Sequence, residues 1–409
     1  SAAGYCGIRN LGCTCYMNSL MQVLYMIPEV RAGVLAFPID TRQLSEEAKA
    51  DNLLLQLQKM FLFLSASQRK AYNPENWATA YKDDSGVLPI NVTQQQDAQE
   101  YLQVLCERLE SQYYLPSQIE GKFDILQKSF GGKISNQMMR QGGESDIREK
   151  EESFVCISLD VAGTTGLENS LSKFVAGETI SDFQWNDGEP REPIVKRQCL
   201  SELSNTVIFH LKRFELNFDT FLREKVNDAF PFPTLVNLFP YSKEGLQAQT
   251  AGSARKGSHS ARPDSYYIYE LQGIVVHTGT TDSGHYFSYI RETDSRWIEF
   301  NDSEVSVFSE SLIAPECFGG MTTSYDVSNK EIVQRQIVNP KSAYMLVYRR
   351  VRPLADENER PFAVGVPNSV VEEYKAYNAK LRKDIDADNH RHMLCTRVFT
   401  QPHVRFMVD

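Results

Sequence analysis

The chain has 409 residues, with 43 Lys and Arg against 53 Asp and Glu for a formal net charge of −10, and it is 42% hydrophobic and 23% charged. These values exclude a mostly disordered, collagenous or coiled-coil chain, and no apolar run approaches the roughly 18 residues of a membrane span. The acidic balance argues against a nucleic-acid partner and for a basic protein partner, because net charge biases association without specifying it. The opening SAAGYCGIRN lacks the basic and apolar regions of a secretion signal. An intracellular address is therefore expected, cytoplasmic first and nuclear second. Eight cysteines are scattered along the chain with no C-x-x-C pair. This is no disulfide framework, so the informative question is whether one thiol is a nucleophile served by a distant His and an Asn or Asp.

The first third reads as helical. Gly12, Cys13, Thr14, Cys15 and Tyr16 form a glycine turn that opens onto Met17, Leu20, Met21 and Leu24. Their i, i+3, i+4, i+7 spacing predicts a helix from about Cys15 that must stop before Pro28. Cys15 then sits at a helix mouth, where unpaired N–H groups and the positive dipole end favour a thiolate, the form that attacks a carbonyl. The bland alternative is a small buried residue at the start of a core helix. Leu53, Leu54, Leu57, Met60, Phe61 and Leu64 predict a second helix. Thr93 with Gln96 three residues on reads as a capping box for a third, running through Ala98, Tyr101, Leu102, Leu105 and Leu109. Asp97 and Glu100 lie three apart on one face of it, and the leucines can supply the buried stripe without them, so both carboxylates are expected toward solvent.

From about Phe154 the period changes to two, with Val155, Ile157, Leu159 and Val161 alternating against Phe154, Cys156, Ser158 and Asp160. Further strands are expected at Thr206 to Phe214, Tyr266 to His277, Tyr286 to Arg291, Arg296 to Phe300 and Ala343 to Arg349. Helices first and strands later predict an α+β architecture. Tyr241 to Ser265, rich in Gly, Ser, Ala and Arg, reads as a mobile loop. Asp356 to Pro367 reads as a linker, followed by a helical segment from about Val370.

Of seven histidines, His285 in Ser283-Gly284-His285-Tyr286 is the best base, because a loop-to-strand junction keeps one ring face exposed while its neighbours anchor it. His277 ends an apolar strand and reads as structural; His210, within VIFHLKRF, reads as core packing. His259, His390, His392 and His403 sit in loop or tail contexts. Asn301 and Asp302 close the segment WIEFND, and either can orient the imidazole, although Asn-Asp-Ser is also an ordinary turn.

Taken together these segments resemble the ubiquitin-specific protease family. GIRNLGCTCYMNSLMQVLY looks like its cysteine box, and GHYFSYIR with WIEFNDSEV like its histidine box. QQQDAQEYLQVLCERLE resembles the intervening helix, and VIFHLKRF and AYMLVYRR the palm strands. The similarity spans roughly Tyr5 to Arg350, and YMIPEVR with the trailing helical segment looks most like the giant fat-facets-type deubiquitinases. The resemblance implies an α+β, papain-like cysteine protease. Its helical thumb would occupy about 5–128 and its β fingers and β-sheet palm about 129–350, with a linker and helical extension at 351–409, all within a larger chain. It implies thiol-dependent hydrolysis of the isopeptide or peptide bond after the C-terminal glycine of ubiquitin, with ubiquitin and its conjugates as partners.

Carried over residue by residue, the resemblance makes Cys15 the nucleophile, His285 the general base, Asn301 the third triad member and Asp302 a close assistant. Asn10, five residues before the nucleophile, takes the oxyanion-hole position, and Cys13 is a bystander. Asp97 and Glu100 would meet arginines of the ubiquitin tail, and Tyr286 counts among the substrate-binding positions. Many members bind zinc at the fingertips through two C-x-x-C pairs. Here that region offers only Cys156 and Cys199, so no metal and no other cofactor is expected, and the finger geometry is left open. Tyr241 to Ser265 and Thr278 to Gly284 match two family loops expected to gate the ubiquitin tail. Two other readings stand beside this one. A catalytically weak ubiquitin-binding module is disfavoured by the presence of Cys15, His285 and Asn301; a protease for another ubiquitin-like modifier is left open by the motifs.

Overall fold

The computed structural model describes residues 4–39, 41, 44–67, 69–83, 85–111, 123–140, 147–218, 220–250, 262–281, 283–292, 296–328, 331–351 and 368–398. The N-terminal layer is helical, built mainly from Cys15–Met26, Pro28–Ala36, Leu53–Ala66 and Ala98–Ser111. All residues of Cys15–Met26 are buried, because this helix packs between its helical neighbours and the Gly284–Arg291 strand. It ends where Ile27 turns extended, and Pro28, lacking an N–H, opens the next helix instead. Leu53–Ala66 starts from Asn52, whose side chain accepts the Leu55 N–H at 2.9 Å. It buries Leu54, Leu57, Met60 and Phe61, each contributing about 1.5–3 kcal/mol by removal from water.

The third expected helix begins later than the Thr93–Gln96 pattern implies. It starts at Ala98, because Asp97 Oδ1 takes the N–H groups of Gln99 and Glu100 at 2.8 and 3.3 Å. The Thr93 hydroxyl donates instead to Asn91 Oδ1 at 2.7 Å, closing a local turn.

The larger sheet has eight strands. Its path runs Glu304–Phe308, Trp297–Asn301, Gly284–Arg291, Ile268–Gly279, Lys341–Arg350, Thr206–Lys212, Ile157–Asp160, and Leu235–Asn237 pairs with Ile268–Gly279 off that path. The pairs are antiparallel except the last on the path, Thr206–Lys212 with Ile157–Asp160. Both faces are covered. Val275, Tyr286 and Ile290 join the core shared with the helices, while Ile274, Val276, Phe287 and Tyr289 join a second core. Alternation across two cores is why these strands read as nearly continuous apolar runs. A second, four-stranded sheet has the order Ile147–Phe154, Gly132–Arg140, Arg191–Glu202, Glu178–Gln184. Its outer strand is exposed from Ile147 to Ser153 and carried no apolar alternation to announce it.

Several expected boundaries move. The alternation from Phe154 to Val161 belongs to two strands, with a bend at Val155 and Cys156 carrying the chain from the smaller sheet to the larger. Thr206 to Phe214 breaks at Arg213, which is fully buried and donates to the carbonyls of Ala343, Val226, Asp228 and Phe318 at 3.0, 2.9, 2.9 and 3.4 Å. Beyond it Phe214–Asn217 and Leu222–Lys225 form a separate hairpin. Tyr241 to Ser265 is not simply a loop, since Lys243–Thr250 is helical and 3-10 turns hold Phe239–Tyr241 and Asp264–Tyr267; residues 251–261 lie outside those described. So do Asp356 to Pro367. The C-terminal helix spans Asn368–Val398 and docks by its early turns, with Val370 buried and Tyr374 and Tyr377 packed on Phe63.

Candidate active site

The site grows from the turn that precedes the first helix. Asn10 Oδ1 accepts from the Gly12 N–H (2.9 Å), the Thr14 N–H (3.1 Å) and the Thr14 hydroxyl (3.2 Å). Gly12 has φ +146°, and a Cβ there would lie 2.7 Å from the Val92 carbonyl oxygen that accepts the Cys13 N–H. Only glycine fits. The turn delivers Cys15, buried, to the helix mouth, where the first turn carries no acidic side chain. The positive dipole end therefore acts on the sulfur without an internal anion competing for it.

His285 opens the Gly284–Arg291 strand and lies within electrostatic reach of Cys15. Its Nε2 lies 2.7 Å from Asn301 Oδ1. An amide oxygen only accepts, so Nε2 carries the proton there and Nδ1 is left as the basic nitrogen. The register pairs Ser288 with Phe300, which makes Asn301 and His285 diagonal neighbours on one sheet face. The ring is pushed up to about 9, first by the neighbouring Cys15 sulfur, with burial opposing and the Asn301 bond and the Asp302 charge adding.

Strand alternation turns Tyr286 to the opposite face. It is 1% exposed, with ring edges on His277 and Tyr344 at 4.7 and 5.4 Å between centroids. The expected substrate-facing side chain is thus a core residue. Asp302 has φ +50°, a left-handed conformation that aspartate tolerates better than most residues. Its Oδ2 accepts from Asn10 Nδ2 at 3.0 Å, its Oδ1 from Asn18 Nδ2 at 2.8 Å and its carbonyl from the Ile8 N–H at 2.8 Å. His285 Nε2 is 3.9 Å from Oδ2. Asp302 is therefore a clamp joining turn, helix and sheet, and Asn301 is the nearer partner of the ring. Asn10 Nδ2 gives one hydrogen to this clamp and keeps a second. Asn18 was missed by sequence reasoning; the signal was an amide inside a helix whose neighbours are all buried.

Asp97 and Glu100 do not share one solvent-facing role. Glu100 is exposed, whereas Asp97 is half-buried, caps its helix and accepts the Tyr344 hydroxyl. His277 and His210 are core groups: burial pushes the first down to about 3 and the second to about 4. The His277 Nε2 lies 3.5 Å from the Gln95 amide, and the His210 Nδ1 3.0 Å from Ser158 Oγ.

The segment beside Thr278 to Gly284 is the Phe214–Lys225 hairpin, where the Thr281 hydroxyl donates to the Arg223 carbonyl at 3.1 Å. The described ends of 241–265 tie instead to the four-stranded sheet, through Lys243 to Glu149 at 2.6 Å and Arg262 to the Ser201 carbonyl at 2.9 Å. A fingertip zinc does not fit this chain. Cys199 is buried against the Ser135 carbonyl and Cys156 lies by Gln99 next to the helical layer. Among the described residues no three His, Cys, Asp or Glu side chains group to hold a metal.

The sequence profile of the family described as ubiquitin carboxyl-terminal hydrolase matches residues 6–348. Human ubiquitin carboxyl-terminal hydrolase 34 is 33% identical over 383 residues, covering 90% of this chain and 10% of that protein. Ubiquitin carboxyl-terminal hydrolase puf of Drosophila melanogaster is 33% identical over 384 residues, covering 86% and 10%, and the same organism's probable ubiquitin carboxyl-terminal hydrolase FAF 30% over 406, covering 85% and 14%. The chain thus spans only about a tenth to a seventh of the length of these relatives. In fold it is similar to a chain of the SAGA Ubp8/Sgf11/Sus1/Sgf73 DUB module bound to ubiquitin aldehyde, with a TM-score of 0.64, 22% identity and coverage of 85% of this chain and 70% of that one. With a profile match across most of its length and a papain-like α+β fold in common, the chain belongs to the ubiquitin carboxyl-terminal hydrolase family.

Proposed function

We propose that this chain is a thiol-dependent deubiquitinase that hydrolyses the isopeptide or peptide bond after the C-terminal glycine of ubiquitin. The observation that carries the reading is the meeting of Cys15, at a helix mouth, with His285, whose ring Cys15 influences more than any other group and whose Nε2 lies 2.7 Å from Asn301 Oδ1. The Cys15 sulfur attacks the glycine carbonyl carbon, and His285 holds the proton taken from the thiol. The developing oxyanion lies toward the remaining Asn10 Nδ2 hydrogen, a type of contact worth about 10²- to 10³-fold in rate. His285 returns its proton to the departing amine as the C–N bond breaks, leaving a thioester. Water then gives a proton to His285 and attacks; as the C–S bond breaks His285 returns that proton to the Cys15 sulfur, and the freed ubiquitin carboxyl group loses its own proton to solvent. Asn301 keeps the ring in one tautomer, and Asp302 fixes the Asn10 turn against the sheet.

The helical layer, the four-stranded sheet and the eight-stranded sheet would be thumb, fingers and palm, with 351–409 an extension of the catalytic region. Exposed Glu100, with Asp97 behind it, would receive an arginine of the ubiquitin tail by charge-assisted hydrogen bonds. A reducing cytosol or nucleus suits the seven free cysteines among the described residues. No helix among those residues is long and apolar enough to cross a membrane. Incubation with ubiquitin bearing a C-terminal electrophile should add one ubiquitin to the intact mass, and nothing in Cys15→Ala. Labelling that persists in Cys15→Ala would overturn the assignment.

A further inference from the structure

A buried cation, Arg213, and a half-buried one, Lys225, grip the root of the Phe214–Lys225 hairpin through main-chain carbonyls. Arg213 enters it, and Lys225 closes it by donating to the carbonyls of His277, Gly279 and Pro340 at 3.1, 3.3 and 2.8 Å. Three N–H donors meet three acceptors, the full capacity of an ammonium. Two of those carbonyls end the Ile268–Gly279 strand, where Thr278 is paired with His285. The third immediately precedes the Lys341–Arg350 strand. The four carbonyls that Arg213 holds include none from this turn.

A hairpin of two four-residue strands is marginal by itself in water. This one nevertheless carries Phe218 and Phe221 at 79% and 77% exposure, the latter at φ +55°, a conformation unfavourable for a bulky side chain. Its shape therefore depends on its ties to the rest of the molecule. These include Lys225, the Thr281 hydroxyl on the Arg223 carbonyl and the Phe214 ring on His277 at 5.0 Å. All three reach the His277–Gly284 stretch that leads into His285.

We propose that Lys225 is a positioning residue that latches the Phe214–Lys225 hairpin to the Gly279–Gly284 turn, so that the two segments form one wall beside His285 and move as a unit. The proposal rests on the deubiquitinase reading, in which this wall receives the ubiquitin tail. Burial pushes the Lys225 ammonium down to about 8, with the Arg213 charge adding to the effect, so the carbonyl dipoles are what keep the cation in place.

Hydrogen exchange on the free protein tests the latch without reference to activity. In Lys225→Met, amides of 214–225 and of 279–284 should exchange faster together, while those of Lys341–Arg350 stay as in wild type. The KM for a ubiquitin C-terminal fluorogenic substrate should rise about tenfold with kcat within about twofold, the pattern of lost binding rather than lost chemistry. Thr281→Val removes one hydroxyl and should give the same pattern at smaller amplitude, which covers the case of a misfolded Lys225→Met. Faster exchange in only one segment, a uniform rise through the sheet, or an unchanged KM overturns the latch. If the wild-type chain turns over no ubiquitin substrate, the functional reading falls, and the exchange result alone decides the latch.

Discussion

The seam between the first helix and the eight-stranded sheet and the four-stranded sheet use polar groups in opposite ways. At the seam they are few, partly buried and interlocked: Asn10 and the buried Asn18 both donate to one carboxylate, Asp302, and Asn301 meets His285. In the four-stranded sheet they are numerous and more exposed. Arg140 pairs with Glu192 at 2.7 Å and also with Glu189, Lys133 pairs with Glu202 at 2.8 Å, and Trp185 lies under Arg140 and Arg148 at 5.2 and 4.5 Å. Leaving a buried donor without its acceptor costs about 1–3 kcal/mol, whereas an exposed ion pair contributes about 0–1 kcal/mol. The seam therefore holds one geometry, while the smaller sheet tolerates loss of single contacts.

The sharpest way to break this contrast is at the sulfur. Cys15→Ala should abolish turnover of a ubiquitin fluorogenic substrate while Cys13→Ala keeps most of it; residual turnover in Cys15→Ala would move the chemistry elsewhere. Next come the two residues that the sequence left as rivals. Asn301→Ala should lower kcat by about 10²-fold, the low end of what a positioned base contributes, with melting temperature and KM nearly unchanged. Asp302→Ala should reduce kcat less and also lower the melting temperature, because the buried Asn18 amide and the half-buried Asn10 amide lose their acceptor, a loss of about 1–3 kcal/mol. Equal melting temperatures for the two variants would erase the distinction between orienter and clamp.

Smaller effects belong to the four-stranded sheet. Trp185→Ala removes two cation–π contacts of about 0.5–1 kcal/mol each, so KM should rise several-fold with kcat unchanged, and a chelator should alter neither value nor the melting temperature. A drop in kcat for Trp185→Ala would show that the sheet reaches the chemistry after all. The smallest expected change is one of pH. Because the His285 ring is raised from 6.5 to about 9 in the folded chain, its contribution to stability is complete below about 6.5 and lost as pH rises through about 9. The wild-type melting temperature should therefore fall toward that of His285→Gln across this window. Parallel curves for the two proteins would exclude the coupling.

The sequence alone determined the elements whose apolar period is unbroken: the first helix from Cys15 to before Pro28, the Leu53 helix, and the strands through Val275, Tyr289 and Met345. Burial on one or both faces writes itself into residue order. It also made Cys15 and His285 conspicuous, because a glycine turn before a helix and a loop-to-strand histidine are local features. Tertiary structure alone decided what depends on partners distant in the chain. Asp97 becomes a cap bonded to Tyr344 rather than a solvent-facing carboxylate, Tyr286 turns into the core, and Asp302 serves two asparagines nearly three hundred residues away in sequence. The exposed strand Ile147–Phe154 left no trace in apolar patterning, since its pairing rests on backbone hydrogen bonds and charged cross-strand contacts that any polar sequence can make. Lys225 was equally silent, because its partners are main-chain carbonyls, which carry no side-chain signature and come together only when the sheet folds.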